Sequence, residues 1–359
     1  MTGQARQKSQ TGPMVAGDTL PACIRFLLDP SVYPHQTGRV ELVQTHISYV
    51  LLAGEFVYKI KKPVDFGFLD FTTLAKRKHF CEQELVLNQR LCPAIYLDVV
   101  AITREGKGYA LAGTGEPVEY AVKMVRLPEE RMMGRVIARG ELDRPLLDRI
   151  ISVLEPFYSQ ARTGPEIDRF GTAEAVGRNV WENLQQLEPF VGCSAISREE
   201  YETLAAFARR FLDRKEIFAE RIAAGRIREG HGDLYSANIC LAEEVCIFDC
   251  IEFNDRFRCC DVASDVAFLA MDLDYHKLGA LADYFIARFV ADTKDSTLEQ
   301  VLRFYKCYRA TVRGKIGLLT GHEPEVDPAS RQEALARATR YFALARRYAA
   351  ETEDIVISG

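Results

Sequence analysis

The stretch HGDLYSANI at residues 231–239 is followed closely by VCIFD at residues 245–249. Two apolar runs, rich in Val, Ile, Cys and Phe, flank a short polar turn between these stretches, which predicts a β-hairpin. Asp233 lies five residues before Asn238, and Asp249 ends the second apolar run. Because the strand bodies would be buried and the strand ends would lie at the surface, the hairpin is expected to bring these three polar side chains together.

Asp, Asn and Asp at these offsets are the groups that phosphoryl transfer from a nucleotide requires. One carboxylate orients or deprotonates the acceptor hydroxyl, while an Asn and a second Asp hold Mg²⁺ on the phosphates. The catalytic loop of protein kinases, H-R-D-x-x-x-x-N, has the same Asp-to-Asn offset. Each residue alone is common in turns and caps, but the three together favour a nucleotide–metal site. We therefore expect Asp233 to be catalytic and Asn238 and Asp249 to bind the metal.

These motifs resemble the aminoglycoside phosphotransferase family, in which Gly follows the His of the catalytic loop. Residues 261–267, DVASDVA, are similar to that family's D-x-A-x-D-L-A segment, and the resemblance extends from about Val40 to Tyr348. It implies an α+β, bilobal protein-kinase-like fold with a small antiparallel β lobe, one inserted helix and a larger mainly helical lobe. Some bacterial members are fused to a P-loop kinase-like domain. No G-x-x-x-x-G-K-[ST] motif occurs here, so we expect that domain to be absent.

The sequence texture changes near Leu127. Before it, short apolar runs alternate with turns, and one helical pattern covers 74–91; after it, seven helix-like segments surround the hairpin island. We therefore expect a flexible tail over residues 1–17, a β-rich nucleotide-binding lobe over 18–127 and a helical catalytic and substrate lobe over 128–359.

A kinase-like site also needs a strand lysine for the α/β-phosphates and a helix glutamate that holds this lysine. The alternation in VYKIK puts Lys59 and Lys61 on the same face of a strand, and Lys59 is the preferred phosphate lysine with Lys61 as its rival. The helix glutamate is Glu84 or Glu82, and Glu84 fits the family's helix better.

The loop expected to cover the phosphates has no glycine, unlike the G-x-G-x-x-G of protein kinases. It spans 45–49, where the hydroxyl of Ser48 and backbone N–H groups remain as phosphate donors. The segment expected to link the lobes contains Met124, Val125 and Leu127. Its backbone would pair with the adenine edge and Met124 would line the pocket, although an apolar edge strand would have the same residues.

The tripeptide DFG at 65–67 matches the protein kinase metal motif in spelling. The metal-binding Asp must follow the catalytic loop, and this tripeptide precedes it by more than 160 residues. It is therefore expected to be an ordinary turn, with Asp249 in the functional position.

The chain has 359 residues, a formal net charge of −5 and 48% apolar residues, which is typical of a globular protein with about two domains. A slightly acidic chain argues against nucleic acid and anionic membrane as partners. The N-terminus lacks an apolar signal core and no apolar run could cross a bilayer, so a cytoplasmic location is expected. A homo-oligomer is compatible with the sequence.

Together these residues predict a Mg²⁺- and ATP-dependent phosphotransferase that acts on a hydroxyl of a small-molecule acceptor. Two alternatives remain open: a non-catalytic ATP-binding regulatory module, and nucleotidyl transfer on the same fold. Aminoglycosides are cationic, so an acidic rim would suit them, and Asp261 and Asp265 are expected to cap and brace the loop instead. The aspartates that follow the metal segment are Asp255, Asp261, Asp265, Asp272 and Asp274.

Overall fold

The computed structural model describes residues 20–324 and 326–350. The chain divides into two compact units. The smaller contains the described residues up to Arg126 together with Pro324–Ser330, and the larger contains Leu127–Glu323 and the described residues from Arg331 onwards. The tail expected over residues 1–17 lies outside the described residues. Among the helices of the described part, none combines the length and the apolar character that a bilayer span requires.

The smaller unit is built on a six-stranded antiparallel sheet with the strand order β1-β2-β3-β6-β4-β5. A short helix α1 precedes the sheet, and a long helix α2 connects β3 to β4. The elements of this unit are α1 (Ala22–Phe26), β1 (Val40–Gln44), β2 (Ser48–Ala53), β3 (Phe56–Lys61), α2 (Leu74–Gln89), β4 (Tyr96–Glu105), β5 (Gly108–Leu111) and β6 (Glu116–Val125).

Helix α2 begins where the Thr73 side chain accepts a hydrogen bond from the Lys76 N–H at 3.2 Å. Its buried positions include Cys81, Glu84 and Asn88, which recur every three or four residues and therefore share one face. That face packs on β4 and β6. The single acidic residue on it is thus carried into the interior of the unit, against the sheet.

The opposite face of the sheet is covered by the segment that contains α1. Ile24, Leu27 and Tyr33 from this segment join one apolar cluster with Tyr58 and Ile60 of β3. Because side chains alternate along a strand, burial of Tyr58 and Ile60 on this face directs Lys59 and Lys61 to the α2 face.

The larger unit is mainly helical, and α10 is its core, since every residue of α10 from Val262 to Leu273 is buried. This helix packs on α11 and α12. The elements of the unit are α3 (Met133–Ala138), α4 (Arg144–Gln160), α5 (Pro165–Asp168), α6 (Ala173–Gln185), α7 (Arg198–Leu212), α8 (Lys215–Ala223), β7 (Ile227–Glu229), β8 (Ile239–Leu241), β9 (Val245–Ile247), α9 (Asp255–Arg258), β10 (Cys259–Asp261), α10 (Val262–Tyr275), α11 (Gly279–Thr293), α12 (Leu298–His322) and α13 (Pro328–Ala350).

The expected fold class is confirmed: an antiparallel β unit with one inserted helix and a larger helical unit, which is the order of elements in the protein-kinase-like fold. The predicted hairpin is also confirmed, because β8 and β9 pair antiparallel with Ile239 opposite Ile247. One helical prediction was too long. The pattern over 198–224 is two helices, since the chain leaves helical geometry at Arg214, whose ψ is 62°, where no Gly or Pro marks the break.

Candidate active site

One carboxylate and two ammonium groups form a polar centre in the smaller unit. Lys59 and Lys61 lie on the α2 face of β3, and Glu84 lies on the buried face of α2. Glu84 Oε1 accepts a hydrogen bond from Lys59 Nζ at 2.8 Å, and its Oε2 accepts one from Lys61 Nζ at 2.7 Å. The two lysines therefore share one carboxylate.

Burial distinguishes the two lysines. The Lys59 side chain is 14% exposed and the Lys61 side chain is 1% exposed, with its ammonium 4.9 Å from the centre of the Phe71 ring. A phosphate can approach only a lysine that is reachable, so the geometry favours Lys59. Glu82 is 51% exposed and its closest described cation is Lys78 at 3.7 Å, one helical turn away, so Glu84 is the glutamate that holds the lysines.

Burial of Glu84 alone would raise its pKa, because a charged carboxylate loses its hydration there. The attraction of Lys59 and Lys61 and their hydrogen bonds outweigh this effect and lower the pKa of Glu84 to about 2. Glu84 therefore stays ionised over the physiological range and keeps both lysines in place.

The glycine-free turn between β1 and β2 is closed by a threonine side chain. Thr45 Oγ1 accepts hydrogen bonds from the Ser48 N–H at 2.9 Å and the Ile47 N–H at 3.3 Å, and the Thr45 N–H donates to Ser48 O at 2.9 Å. The backbone of Ser48 is thus engaged within the turn. Its Oγ is buried and has no hydrogen-bond partner among the described residues, and Ser48 lies opposite Lys61 in the β2–β3 register.

The end of β6 carries the residues expected to meet adenine. Met124 lies in the sheet between Val57 of β3 and Tyr96 of β4. The Val125 N–H donates to Ile95 O at 2.9 Å, so it is not free to donate to a nucleotide base. The Leu127 N–H, in the larger unit, has no hydrogen-bond acceptor among the described residues.

In the larger unit, a buried aspartate of α10 holds the loop that precedes the hairpin. Asp265 is buried and accepts hydrogen bonds from the His231 N–H at 2.7 Å, the Gly232 N–H at 2.9 Å and the Tyr158 hydroxyl at 3.1 Å. Asp261 accepts from the Ala263 N–H at 2.9 Å and so caps α10. The expected bracing and capping roles of these two aspartates are confirmed.

Two glycines permit this close approach. Gly232 has a φ of +85°, and a Cβ there would lie 2.8 Å from Phe257 O. At Gly230 a Cβ would lie 2.4 Å from Asp265 Oδ2. Any larger residue at either position would push the loop away from its carboxylate anchor.

The His231 ring has a defined hydrogen-bonding role. Its Nδ1 accepts from the Asp233 N–H at 3.2 Å, so the ring proton is on Nε2, which donates to Phe248 O at 3.0 Å. The ring therefore connects Phe248, the residue before Asp249, to the loop that carries Asp233.

The three residues predicted for catalysis and metal binding lie together on this loop and hairpin. Asn238 Nδ2 donates to Asp233 Oδ2 and to Asp233 O, both at 2.9 Å. The Phe248 N–H donates to Asn238 O at 3.0 Å. Asp249 therefore directly follows a residue that is hydrogen-bonded to the loop. Asp249 has a φ of +62°, a left-handed conformation that costs a non-glycine residue about 1–2 kcal/mol. The fold tolerates strain at this position, as functional sites often do.

Asp233 is half-buried and its pKa is raised to about 6. Desolvation is the main cause, and the negative charge of Asp249 adds to it. The positive charges of Arg313 and Arg309 and the hydrogen bond from Asn238 act in the opposite direction. A carboxylate in this range can accept a proton from a hydroxyl near neutral pH.

The donor set of this hairpin fits Mg²⁺. The Asn238 side chain uses its nitrogen on Asp233, so its oxygen, the atom that a cation requires, is not used in that contact. Within residues 20–324 and 326–350 no group of three or more His, Cys, Asp or Glu side chains is arranged to hold a metal. Mg²⁺ on nucleotides typically takes one or two protein ligands and completes its shell with phosphates and water, and Asn238 and Asp249 supply that number.

Sequence reasoning missed two arginines of α12 that lie near the catalytic loop. Arg309 donates to Gly232 O at 2.8 Å and to Ser264 O at 3.2 Å, and Arg313 influences Asp233 through its charge. The two arginines are four residues apart and so share one face of a helix, which was the only signal in the sequence. The sequence could not show which loop they contact, because that loop lies about 80 positions earlier in the chain. The DFG tripeptide is a turn, as expected: Asp65 Oδ1 accepts from the Gly67 N–H at 2.8 Å.

No protein-family model matches the chain. Uncharacterized proteins of Mycobacterium tuberculosis and Mycobacterium bovis are 32% identical to it over 311 residues, which cover 86% of this chain and 59% of theirs. The chain therefore spans less than two thirds of the length of the curated relatives it matches.

Several solved structures are similar to the chain. A choline/ethanolamine kinase family protein from Mesorhizobium loti is 13% identical, with a TM-score of 0.49, and the match covers 91% of this chain and 98% of that one. The amicoumacin kinase hAmiN, in complex with AMP-PNP, Ca²⁺ and Ami, is 12% identical with a TM-score of 0.46, covering 84% and 87%. The aminoglycoside phosphotransferase APH(3'')-Id from Streptomyces rimosus is 14% identical with a TM-score of 0.44, covering 76% and 92%.

Proposed function

We propose that the protein transfers the terminal phosphoryl group of Mg·ATP to a hydroxyl of a small molecule. The observation that carries this proposal is the catalytic loop, in which Asp233 and Asn238 are hydrogen-bonded at 2.9 Å and the charge of Asp249 reaches Asp233.

In the proposed reaction Asp233 accepts the proton of the acceptor hydroxyl and orients its oxygen towards the phosphorus. Asn238 fixes the Asp233 carboxylate through its nitrogen and offers its oxygen to the metal, together with Asp249. Mg²⁺, when bound, supplies positive charge against the phosphate oxygens. Because the transition state of phosphoryl transfer is loose, positioning and charge neutralisation supply most of the rate.

Lys59 neutralises charge on the α/β-phosphates in this proposal, and Glu84 fixes its ammonium. The shared carboxylate supports this role, because it holds the Lys59 ammonium at a fixed position on the α2 face of β3. The buried hydroxyl of Ser48 is proposed to donate to a phosphate oxygen, and Met124, Val125 and Leu127 to lie against the base, with the Leu127 N–H as the donor.

The test is ATP turnover, measured first with water and then with a panel of hydroxyl metabolites. Asp233→Ala should lower turnover roughly 10²–10⁴-fold while the affinity for Mg·ATP stays near normal. Asp249→Ala should instead weaken Mg·ATP binding. Glu243→Gln is the matched control, because Glu243 is an exposed residue in the turn of the same hairpin.

Undiminished turnover of Asp233→Ala would remove the catalytic assignment, and unchanged Mg·ATP affinity of Asp249→Ala would remove the metal assignment. Two further outcomes identify the alternatives. Tight Mg·ATP binding without any turnover is the result expected of a regulatory module. Mass spectrometry of the product separates phosphoryl from nucleotidyl transfer by the group added.

A further inference from the structure

Most of the aspartates that could have formed an acidic rim are buried in the larger unit, and each has a cationic or N–H donor partner among the described residues. Asp255 is the exception in burial, since its side chain is 64% exposed. The partners are Arg258 for Asp255, Arg221 for Asp261, the His231 and Gly232 N–H groups for Asp265, the Ser236 N–H for Asp272 and Lys306 for Asp274.

Next to the catalytic loop lies a cluster of cationic and aromatic side chains, which we call the Arg313 cluster. It consists of Arg313, Tyr235, Tyr341, Tyr275 and Arg340. The Arg313 guanidinium lies 4.6 Å from the centre of the Tyr235 ring and 5.8 Å from that of Tyr341. Tyr341 stacks on Tyr275 at 4.0 Å, and the Arg340 guanidinium lies 5.2 Å from the Tyr275 ring.

Two buried polar atoms of the Arg313 cluster have no hydrogen-bond partner among the described residues. They are Arg313 Nε and the Tyr275 hydroxyl. No carboxylate of the described chain lies within ion-pair distance of Arg313. Asp272 is the carboxylate whose charge acts most strongly on Tyr341, and it accepts a hydrogen bond from the Ser236 N–H. Buried donors that remain unpaired, above all on a guanidinium, indicate that an acceptor from outside the chain completes the site.

The Arg313 cluster is continuous with the catalytic loop. Tyr235 is two residues after Asp233 and its ring stacks on Phe268 at 5.3 Å, so it is fixed in the core. The positive charge of Arg313 also reaches Asp233. Arg309 differs from Arg313, because Arg309 is engaged by backbone carbonyls of the loop and of α10.

We propose that the acceptor carries an anionic group, a carboxylate or a phosphate, which binds to Arg313 and the Tyr275 hydroxyl while its own hydroxyl lies at Asp233. This inference rests on the proposed phosphotransferase function and names its substrate class. The Arg313 side chain also bonds the Tyr341 side chain, but its Nε has no partner among the described residues and can donate to an oxygen of either anion. A cationic acceptor would instead meet Arg313 and Arg340 and be repelled.

The test uses the purified chain saturated with Mg·ADP, so that the nucleotide site is filled. Inorganic phosphate and acetate are titrated separately at constant ionic strength adjusted with chloride, and the thermal midpoint gives the affinity of each anion. We expect saturable stabilisation by at least one of them, and the arm that responds identifies the anion. Arg313→Gln should lose at least tenfold in affinity. Arg210→Gln, at an exposed position on α7, is the matched control and should bind as the parent protein does.

If Arg313→Gln does not fold, Arg313→Lys carries the test, because it keeps the charge and loses the planar fork; a loss of at least threefold in anion affinity is then expected. Equal affinity in the Arg313 and Arg210 variants, or no saturable stabilisation of the parent by either anion, would overturn the inference. Failure of the proposed function is a separate result, since it would appear as absent stabilisation by Mg·ADP alone.

Discussion

Replacing Glu84 by Gln would leave two ammonium groups against an uncharged amide. In the parent protein Glu84 is 0% exposed and bonds Lys59 at 2.8 Å and Lys61 at 2.7 Å. The Gln side chain keeps the size of Glu but has one acceptor oxygen where Glu has two. Its NH2 group would replace the oxygen that one of the two lysines bonds, and the negative charge is removed.

Two independent estimates give the magnitude. Breaking a buried ion pair by removing one partner costs about 3–5 kcal/mol. The fall of the Glu84 pKa from 4.5 to about 2 corresponds to ~3 kcal/mol in favour of the charged form. We therefore expect Glu84→Gln to lower the free energy of unfolding of the smaller unit by about 3 kcal/mol at pH 7.

The assay is urea unfolding followed by far-UV circular dichroism, with Glu82→Gln as the matched control. Glu82 lies two residues away in α2, is exposed and makes a 3.7 Å contact with Lys78, so its replacement should cost about 0–0.5 kcal/mol. Adding Lys61→Met to Glu84→Gln should recover part of the lost stability, since it removes the more buried uncompensated ammonium.

The pH dependence has a defined sign. Because the folded-state pKa of Glu84 is lowered, its contribution is fully present above pH 4.5 and is lost as the pH falls from 4.5 towards 2. The difference between the parent protein and Glu84→Gln should therefore be constant from pH 7 to about 5 and narrow below it. A Glu84→Gln variant as stable as Glu82→Gln at pH 7 would refute the reasoning.

Three further perturbations test the larger unit. The pKa of Asp233 is about 6, and the negative charge of Asp249 helps to raise it. The kcat/KM of the Mg²⁺-loaded protein should therefore fall as the pH drops, with a midpoint at or below about pH 6. A midpoint above pH 7 would contradict the assignment of Asp233 as the base. Gly232 has a φ of +85°, so Gly232→Ala should lower the free energy of unfolding by about 1–3 kcal/mol and slow turnover. The control is Gly134→Ala, because a Cβ at Gly134 would have no atom within 4 Å; this variant should be as stable as the parent protein, or slightly more stable, in urea unfolding. Asp265→Asn should leave one backbone N–H of the loop without its acceptor, which should lower the free energy of unfolding by about 1–3 kcal/mol and slow turnover. Unchanged amide hydrogen exchange at residues 231 and 232 would argue against the bracing role of Asp265.

Local patterns allowed the hairpin and its polar residues to be predicted. The alternation of β8 and β9 and the spacing of Asp233 and Asn238 are properties of a few neighbouring residues, so they can be read from sequence. The choice between Lys59 and Lys61 could not, because a strand period of two puts both on the same face and both bond Glu84. Only their different exposure, which depends on packing, separates them.

Residues that act through distant contacts remained out of reach of sequence reasoning. Arg313 comes from a helix about 80 positions after the loop that carries Asp233. Its partner Tyr341 lies on a second helix, and Tyr275, which stacks on Tyr341, lies on a third. The break between α7 and α8 was missed for a different reason, since Asp213 and Arg214 carry no Gly or Pro signal. In contrast, the phase of α2 could have selected Glu84 over Glu82, because Cys81, Glu84 and Asn88 share one face.

The turn that Thr45 closes affects the conformational entropy that ligand binding would cost under the proposed function. A glycine-rich flap samples many shapes and must be frozen whenever a nucleotide arrives, which costs conformational entropy at each turnover. Here Thr45 already holds both backbone groups of Ser48 before any ligand is present. Under the proposed function, the loss of conformational entropy on nucleotide binding should therefore be smaller than for a glycine-rich loop. The temperature dependence of nucleotide binding should be that of a preformed turn and not that of a loop that orders on binding.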